Sequence, residues 1–279
     1  MQAKSFPREG YLHENYRWFH LRDTAGQERD FHFHDFDKLV ILLSGRVDYT
    51  VEGVTYALQP WDVLFVKQHT IHRALIDREV PYDRVVVYLD GRFADRHFPG
   101  EELMECFRLA DRQGRHRVST SSEEREKLGA LITRMDDAHR SEEFGSHVLR
   151  DAGMLELLVL LNRMVRRGGS AQSRDVSGWD PKVSRAIAYI NENLRRDLSV
   201  EEVAEYVYLS KYYFMRLFKT QTGYTVHAYV RQMRLLNAAR LIREGASASK
   251  AAEECGFRDY SVFYRAFRET FGVSPGELK

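Results

Sequence analysis

A segment of 14 residues occurs twice in the C-terminal part of the chain, and this repeat restricts the fold more than any other feature. SKYYFMRLFKTQTG begins at residue 210 and DYSVFYRAFRETFG begins at residue 259, an offset of 49 residues. The matched positions are Ser210 and Asp259, Phe214 and Phe263, Arg216 and Arg265, Phe218 and Phe267, and Gly223 and Gly272. Ser and Asp are favoured N-cap residues, and Gly commonly ends a helix. The repeat therefore predicts two helices of one design, each with an apolar face at i and i+4 and an arginine on the opposite face.

A shorter helical pattern and a turn precede each copy. These patterns are SVEEVAEYVYL before the first copy and SKAAEECGF before the second. Ala204 and Ala252 are small enough for two helices to cross closely, and Gly256 can supply the positive φ of a sharp turn. Tyr208 occupies the similar place in the first copy, which therefore lacks this glycine. Residues 225–243 read as one long helix between two helix-turn-helix units.

A helix lying in the major groove of DNA presents its first turns to the base edges, while its apolar back packs on the preceding helix. Arg can bond guanine with two hydrogen bonds, and Tyr and Met can pack on thymine methyl groups. The alternative interpretation is an ordinary helical bundle with solvated surface arginines. The residues expected to contact DNA are Lys211, Tyr212, Met215, Arg216 and Lys219 in the first copy, and Tyr260, Ser261, Tyr264, Arg265 and Arg268 in the second.

The stretch AAEECGFRDYSVFYRAFRETFGVSPGE, with its GF, D, F, R, F and G-x-SP elements in order, resembles the DNA-binding domain of the AraC/XylS family of bacterial regulators. The similarity covers about the last hundred residues. It implies that two helix-turn-helix units enter successive major grooves of double-stranded DNA, with recognition helices about 34 Å apart. It also implies a transcription regulator, more often an activator than a repressor, and an activator would have RNA polymerase as a partner.

The first part of the chain has a different pattern. Short β-branched and aromatic runs between turns fill residues 31–89 and predict a small β-barrel or sandwich. Two helices should follow, one capped at Ser121 or Ser122 and one over Val148–Val165. The stretch RGGSAQSRDVSGWD lacks apolar periodicity and reads as a linker. We predict an α+β protein with a sensor domain at 1–167, a linker at 168–180 and an all-α DNA-binding domain at 181–279.

Composition limits the classes of partner and location. The chain has 42 Lys+Arg against 41 Asp+Glu, whereas residues 180–279 have 16 against 12 and so carry a net charge of +4. That balance permits a nucleic-acid partner at the C-terminal end. The two cysteines lie far apart and have no metal-type spacing, and the chain has neither a long apolar run nor the apolar core of a signal peptide. We expect a cytoplasmic protein with no membrane contact.

Two stretches of the N-terminal part, HFHDFDKLVILLSG and QPWDVLFVKQHTIH, resemble the two motifs of cupins. Metal-binding cupins carry a Glu where this chain has Lys38, and an ammonium group cannot bind a cation, so we expect no metal and no cofactor. The resemblance implies a sensory cupin that binds a small effector, such as a sugar or, given Lys38, a sugar acid. The candidate effector residues are His32, His34, Lys38, Tyr49, Trp61 and His72.

Three alternatives stay open at this point. The histidines could be structural strand residues, and the aromatic side chains could belong to the core. The chain could be a cupin metalloenzyme, an isomerase or oxygenase, that uses three histidines and carries a regulatory tail. It could also be an architectural module without sequence preference on DNA.

The two helices after the barrel predict a homodimer through their apolar face or, equally, packing on their own barrel. The side chains concerned are Leu128, Leu131, Met135, Leu155 and Leu158.

Overall fold

The computed structural model describes residues 12, 14–23, 31–77, 79–167, 176–177, 179–243 and 245–278, and for 176–177 only the backbone. The described residues form two compact units, which divide between Val176 and Ser177. This division falls inside the stretch predicted as a linker, within the two-residue strand β9 (Val176–Ser177). Residues 168–175 and 178 of the predicted linker lie outside the described residues. The domain limits expected from the sequence therefore stay a prediction.

The first unit contains two antiparallel sheets. Its strands are β1 (Tyr16–Asp23), β2 (Asp37–Ser44), β3 (Val47–Val51), β4 (Val54–Leu58), β5 (Val63–Val66), β6 (His72–Ile76), β7 (Tyr82–Leu89) and β8 (Arg117–Val118). One sheet has the order β1-β7-β2-β5-β8, and β6, β3 and β4 are neighbours in the other. Strands β2 to β7 lie within residues 31–89, where the sequence predicts short strands, and this confirms the β-rich N-terminal part of the predicted fold.

The larger sheet is covered on both faces, because alternate side chains of a strand point to opposite sides. Val40 and Leu42 of β2 pack with side chains of the smaller sheet in one apolar cluster. Leu39 and Ile41 of the same strand pack in a second cluster with side chains of the helices. Burial on both faces explains why β2 and the neighbouring Val63–Val66 are continuous apolar runs rather than alternating patterns.

The described part of the first unit also contains four helices, α1 (Arg92–His97), α2 (Glu105–Gln113), α3 (Ser122–Arg140) and α4 (Ser146–Arg166). The expected cap of α3 is present, since the Ser121 hydroxyl accepts from the Glu124 N–H and the Glu124 carboxylate accepts from the Ser121 N–H. Helices α1 and α2 were not expected. Among the described residues, no helix is both long and apolar enough to cross a membrane.

The apolar residues expected to form a dimer interface face the interior of their own unit. Leu128, Leu131, Met135 and Leu158 are buried in the cluster between the helices and the larger sheet, and Leu155 packs against it. Of the two roles weighed for this face, packing on the chain's own sheet is present for all five side chains, and only Leu155 stays half-buried. The homodimer itself stays a prediction.

From residue 179 onward, every regular element among the described residues of the second unit is a helix. Its helices are α5 (Pro181–Glu192), α6 (Val200–Tyr206), α7 (Lys211–Thr222), α8 (Val226–Arg243), α9 (Ala248–Glu254) and α10 (Tyr260–Phe271). At the start of helix α5 the Asp180 side chain accepts a hydrogen bond from the Lys182 N–H, and Pro181 occupies the first helical position. The two halves of the repeat are the pairs α6–α7 and α9–α10, and α8 joins them. This arrangement confirms the all-α part of the predicted fold.

Candidate nucleic-acid interface and sensor site

The two helix pairs share one turn geometry. Helices α6 and α9 both have seven residues. The second residue after the end of each helix has a positive φ, which is 57° at Tyr208 and 81° at Gly256. Behind these turns, the Leu209 N–H donates to the Ala204 carbonyl and the Phe257 N–H donates to the Ala252 carbonyl. The left-handed turn therefore forms in both copies, although only the second one carries a glycine there.

Crowding explains why only the second turn requires glycine. A Cβ atom on Gly256 would lie 2.7 Å from the Arg195 carbonyl oxygen and 2.9 Å from that of Leu194. Neither neighbour is a flexible side chain, so any larger residue would displace backbone. Tyr208, in contrast, leaves 81% of its surface exposed. The first turn thus carries only the local cost of a positive φ on a non-glycine residue.

The two copies differ by one residue between the turn and the second helix. The first helices and the positive-φ residues correspond at an offset of 48, whereas α7 and α10 correspond at 49. The additional residue is Arg258, whose guanidinium donates to the Asp197 carboxylate at 2.8 Å. The repeat is therefore a pair of similar units and not an exact duplication.

The expected N-caps differ in the two copies. Asp259 accepts from the N–H groups of Ser261 and Val262, at 2.6 and 3.1 Å. Ser210 has the extended backbone of an N-cap residue, but its hydroxyl accepts no cap hydrogen bond. The sequence-based expectation is thus correct for Asp259 and wrong for the Ser210 side chain. Both C-terminal glycines have the expected left-handed conformation.

The apolar backs of the two helices are buried as expected. Phe214 and Phe218 of α7 and Phe263 and Phe267 of α10 are 0% exposed. The rings of each pair contact one another, with centroids 5.6 Å apart in α7 and 5.3 Å apart in α10. Each helix is consequently fixed in rotation, with the face opposite to the phenylalanines turned outward.

All ten residues predicted to contact DNA are exposed. They are Lys211, Tyr212, Met215, Arg216 and Lys219 on α7, and Tyr260, Ser261, Tyr264, Arg265 and Arg268 on α10. The Lys211 ammonium forms an ion pair with Glu201 of α6. The Arg265 Nε donates to the Ser261 carbonyl at 3.4 Å, which keeps the guanidinium along its own helix. Tyr213 and Tyr208 are also exposed, although the repeat alone did not single them out as contacts.

Three histidines of the first unit lie together. The backbone N–H and C=O of His32 pair with those of His72, at 3.0 and 2.9 Å, which brings the segment before β2 to the first residue of β6. The His72 ring centroid lies 4.3 Å from that of His32 and 4.5 Å from that of His34. One ring nitrogen from each histidine lies within 4.8 Å of the other two. The histidines that the sequence suggested as a group are thus a group in space.

Backbone carbonyls fix the tautomers of the two buried histidines. The Nδ1–H of His34 donates to the Phe36 carbonyl at 3.2 Å, and that of His72 donates to the Thr70 carbonyl at 2.9 Å. Burial lowers the pKa of both rings well below its ordinary value, and the charge of Lys38 lowers it further. The rings are therefore neutral at pH 7, and each Nε2 carries a lone pair.

Lys38 and Tyr49 belong to the same group. Lys38 occupies the β2 position two before Val40 and therefore points to the same side, between the two sheets. Its Nζ donates to the Tyr49 hydroxyl at 2.7 Å, and the Tyr49 ring stacks with the His72 ring at 6.1 Å. Five of the six candidate effector residues thus converge on one buried region.

Trp61 lies apart from the other five candidates. Its backbone N–H donates to the Leu42 carbonyl, at the opposite end of β2 from Lys38. Its ring packs in the cluster between the larger sheet and the helices, and would lie 3.4 Å from a Cβ on Gly129 of α3. Because Trp61 and Lys38 lie on opposite faces of the sheet, we exclude Trp61 from the candidate effector site.

Comparison with known families agrees with both parts of this description. Residues 19–157, which include the histidine group, match the family described as an AraC-like ligand binding domain. Residues 192–279, which include both helix pairs, match a family described as a helix-turn-helix domain. The chain belongs to the AraC/XylS family. As an AraC/XylS-family protein, it combines a ligand-binding domain with a DNA-binding domain and is a sequence-specific transcription regulator.

Relatives of this AraC/XylS-family chain include transcription regulators. The HTH-type transcriptional activator RhaS of Enterobacter sp. (strain 638) is 26% identical over 250 residues, which cover 89% of this chain and 86% of RhaS. Regulatory protein PocR of Salmonella typhimurium is 35% identical over 143 residues, or 47% of each chain. Among solved structures, the C-terminal domain of the response regulator AraT of Geobacillus stearothermophilus is 30% identical, with a TM-score of 0.35, and the match covers 38% of this chain and 86% of that domain.

Proposed function

We propose that this regulator activates genes for the use of a carbohydrate or a related metabolite, and that it responds to a small effector bound between its two sheets. The observation that carries the DNA-binding half is the pair of helices α7 and α10, each with buried phenylalanines and an exposed arginine at the matching position. A recognition helix requires this division, because its back must be fixed while its front reads base edges.

Arg216 and Arg265 are the residues we assign to base reading. Both are exposed on the outward face of their helix, and a guanidinium can bond both acceptors of a guanine in the major groove. The other eight exposed candidates on the two helices would bond phosphates or pack on bases. This division of roles separates specificity from general affinity.

Selection from randomised DNA with the purified protein, with and without candidate sugars, would identify the preferred site. We then expect Arg216→Ala and Arg265→Ala each to lose about 1–3 kcal/mol of binding to that site and less on random DNA. Arg163→Ala is the matched control, because Arg163 is an exposed helical arginine of the other unit. Equal losses on preferred and random DNA would contradict a base-reading role.

The effector site that we propose consists of His32, His34, Lys38, Tyr49 and His72. These polar groups lie at the edge of an apolar cluster between two sheets, and polar groups that converge in an apolar surrounding are typical of small-molecule sites. The ammonium of Lys38 favours an effector with a negative group, such as a sugar acid.

We expect His72→Ala to abolish the effector response and to leave basal DNA binding intact. The control Trp61→Phe should keep both the effector response and basal DNA binding. An unchanged dose response in His72→Ala would remove this residue from the site.

We further propose a role, a location, a partner and an oligomeric state for the protein. The protein acts as a sensor and not as an enzyme, since the relatives are named as regulators. It works in the cytoplasm, and as an activator it contacts RNA polymerase. It forms a homodimer through a surface other than the buried leucines, and Phe144, Val148 and Leu149 offer exposed apolar side chains near the start of α4. Sedimentation of Leu149→Asp beside the unchanged protein tests that surface, and an unaltered dimer would exclude it.

A further inference from the structure

The guanidinium of Arg234, on the helix α8 that joins the two helix pairs, donates to three backbone carbonyls. Its Nε and Nη2 donate to the carbonyls of Leu194 and Arg196, at 2.8 and 2.7 Å, in the loop that leads from α5 into α6. Its Nη1 donates to the carbonyl of Gly256, at 3.0 Å, in the turn between α9 and α10. One side chain therefore holds both the loop ahead of the first helix pair and the turn within the second.

The chemistry of the guanidinium suits this position. The three carbonyls lie just beyond the C-terminal ends of α5 and α9, which end at Glu192 and Glu254. A cation is favoured near the C-terminal end of a helix, where the partial charge of the backbone is negative. A guanidinium is planar, always charged and offers five donors in fixed directions, so it can bind several carbonyls in one geometry only. Arg234 thus joins the ends of two helices, one from each half of the unit, at a defined angle.

The loop and the turn that Arg234 connects also touch each other. The backbone of Gly256 lies so close to the Arg195 carbonyl that no Cβ atom fits between them. The Arg258 guanidinium and the Asp197 carboxylate form an ion pair across the same contact, but their side chains are 83% and 74% exposed, so this pair contributes little. Arg234 is half-buried and makes three charged hydrogen bonds there. The contact therefore depends on Arg234 more than on the surface ion pair.

Helix α8 alone would leave the angle between the two helix pairs adjustable. Near its start, α8 is fixed to the first half through Tyr229, whose hydroxyl donates to the Asn191 side chain at 3.0 Å and whose ring centroid lies 5.8 Å from that of Phe218. The helix has 18 residues and is about 27 Å long, and helices of this length commonly curve. The bonds of Arg234 attach the second pair to the first half at another place, and this attachment opposes such bending.

We propose that Arg234 is a positioning residue that fixes the orientation of α10 relative to α7 and thereby selects the number of base pairs between the two elements of the DNA site. This inference rests on the proposed reading of bases by both helices. Each added base pair moves the second element by about 3.4 Å along the duplex and by about 34° around it. A rigid pair of recognition helices cannot follow such a shift, whereas a flexible pair can.

Binding of the full-length protein to the selected DNA site, and to versions with one base pair inserted or removed between its two elements, tests the role of Arg234. We expect the unchanged protein to prefer the selected spacing by more than about 10-fold, and Arg234→Met, which keeps the chain length without the donors, to prefer it by less than about 3-fold. Arg231→Met is the matched control, because Arg231 is an exposed arginine of the same helix, and it should keep the full preference. The ratio between spacings is decisive, since a loss of folded protein weakens binding to all three DNAs equally.

An unchanged preference in Arg234→Met, or an equal decrease in Arg231→Met, would overturn the inference. Equal binding of all three spacings by the unchanged protein would overturn it as well, whether or not any variant folds. Arg234→Lys keeps the charge, but a single ammonium nitrogen cannot span the three carbonyls, so this variant should also lose preference and replaces Arg234→Met if that protein does not fold. Selection that returns no preferred sequence rejects the proposed base reading together with this inference, whereas a preferred sequence with an unchanged spacing ratio rejects the role of Arg234 alone.

Discussion

Both recognition helices follow a residue type that is favoured as an N-cap, yet only one of the two side chains caps its helix. This difference should be measurable in the stability of the two helices. Asp259 accepts two hydrogen bonds from the first turn of α10, and its negative charge lies at the positive end of the helix dipole. Ser210 accepts none at the start of α7. Replacing a working cap by alanine costs about 0.5–2 kcal/mol, and loss of the charge adds a few tenths at an exposed position. We expect about 1–2 kcal/mol for Asp259→Ala and close to zero for Ser210→Ala.

Hydrogen exchange of the full-length protein, read by mass spectrometry on peptides from each helix, measures this difference locally. A loss of about 1–2 kcal/mol in the opening free energy accelerates exchange of the α10 amides about 5- to 30-fold. Ser210→Ala should leave exchange of the α7 amides nearly unchanged. Asp259→Asn is the matched control, because asparagine can accept the same hydrogen bonds without the charge. If Ser210→Ala accelerated exchange as much as Asp259→Ala, or if Asn behaved like Ala, the capping argument would be refuted.

Two other substitutions test packing and electrostatics. Gly256→Ala should destabilise the second unit by more than about 1–2 kcal/mol, since the added Cβ would meet the Arg195 carbonyl at a positive φ, whereas Gly276→Ala, with open space around it, should be neutral in thermal unfolding. Burial disfavours the charged form of His20 and so lowers its pKa. The hydrogen bond to the Asp136 carboxylate at 2.5 Å and the negative charge of that carboxylate outweigh burial, so the pKa of His20 is raised above 6.5. A raised pKa stabilises the fold below the unfolded pKa, and the stabilisation disappears as pH rises through the folded value. His20→Gln should therefore lower the unfolding temperature more at about pH 5.5 than at about pH 8.5, and an equal effect at both would contradict a charged pair.

The sequence was most informative where burial imposes a simple pattern. Strands β2 and β5 are apolar on both faces, and the phenylalanine pairs of α7 and α10 recur at i and i+4, so both could be predicted. Strand β1 could not be predicted, because it is the edge strand of its sheet and several of its positions stay half-exposed. Its sequence YRWFHLRD consequently mixes charged and aromatic residues without a clear alternation.

The candidate sites show a second limit, which is orientation. The spacing of His32 and His34 predicts a shared neighbourhood, but the pairing of His32 with His72 depends on contacts between distant segments that no local pattern encodes. Trp61 lies in the turn between β4 and β5, where no periodicity fixes the direction of a side chain. The Ser210 hydroxyl illustrates the same limit at a smaller scale, because residue type permits a cap and only the side-chain conformation decides whether it forms.

The two recognition helices bury the same face but present different side chains outward, which affects how target sites should be searched. The phenylalanine pairs at matching positions of α7 and α10 are equally buried, so the additional residue Arg258 in the preceding turn leaves the outward face of α10 the same as that of α7. Of the five matched outward positions, only Arg216 and Arg265 carry the same residue, so the other positions would meet bases with different chemistry. We expect the operator to consist of two unlike sequence elements on the same face of the duplex, so a search for perfect tandem repeats in promoters would overlook it.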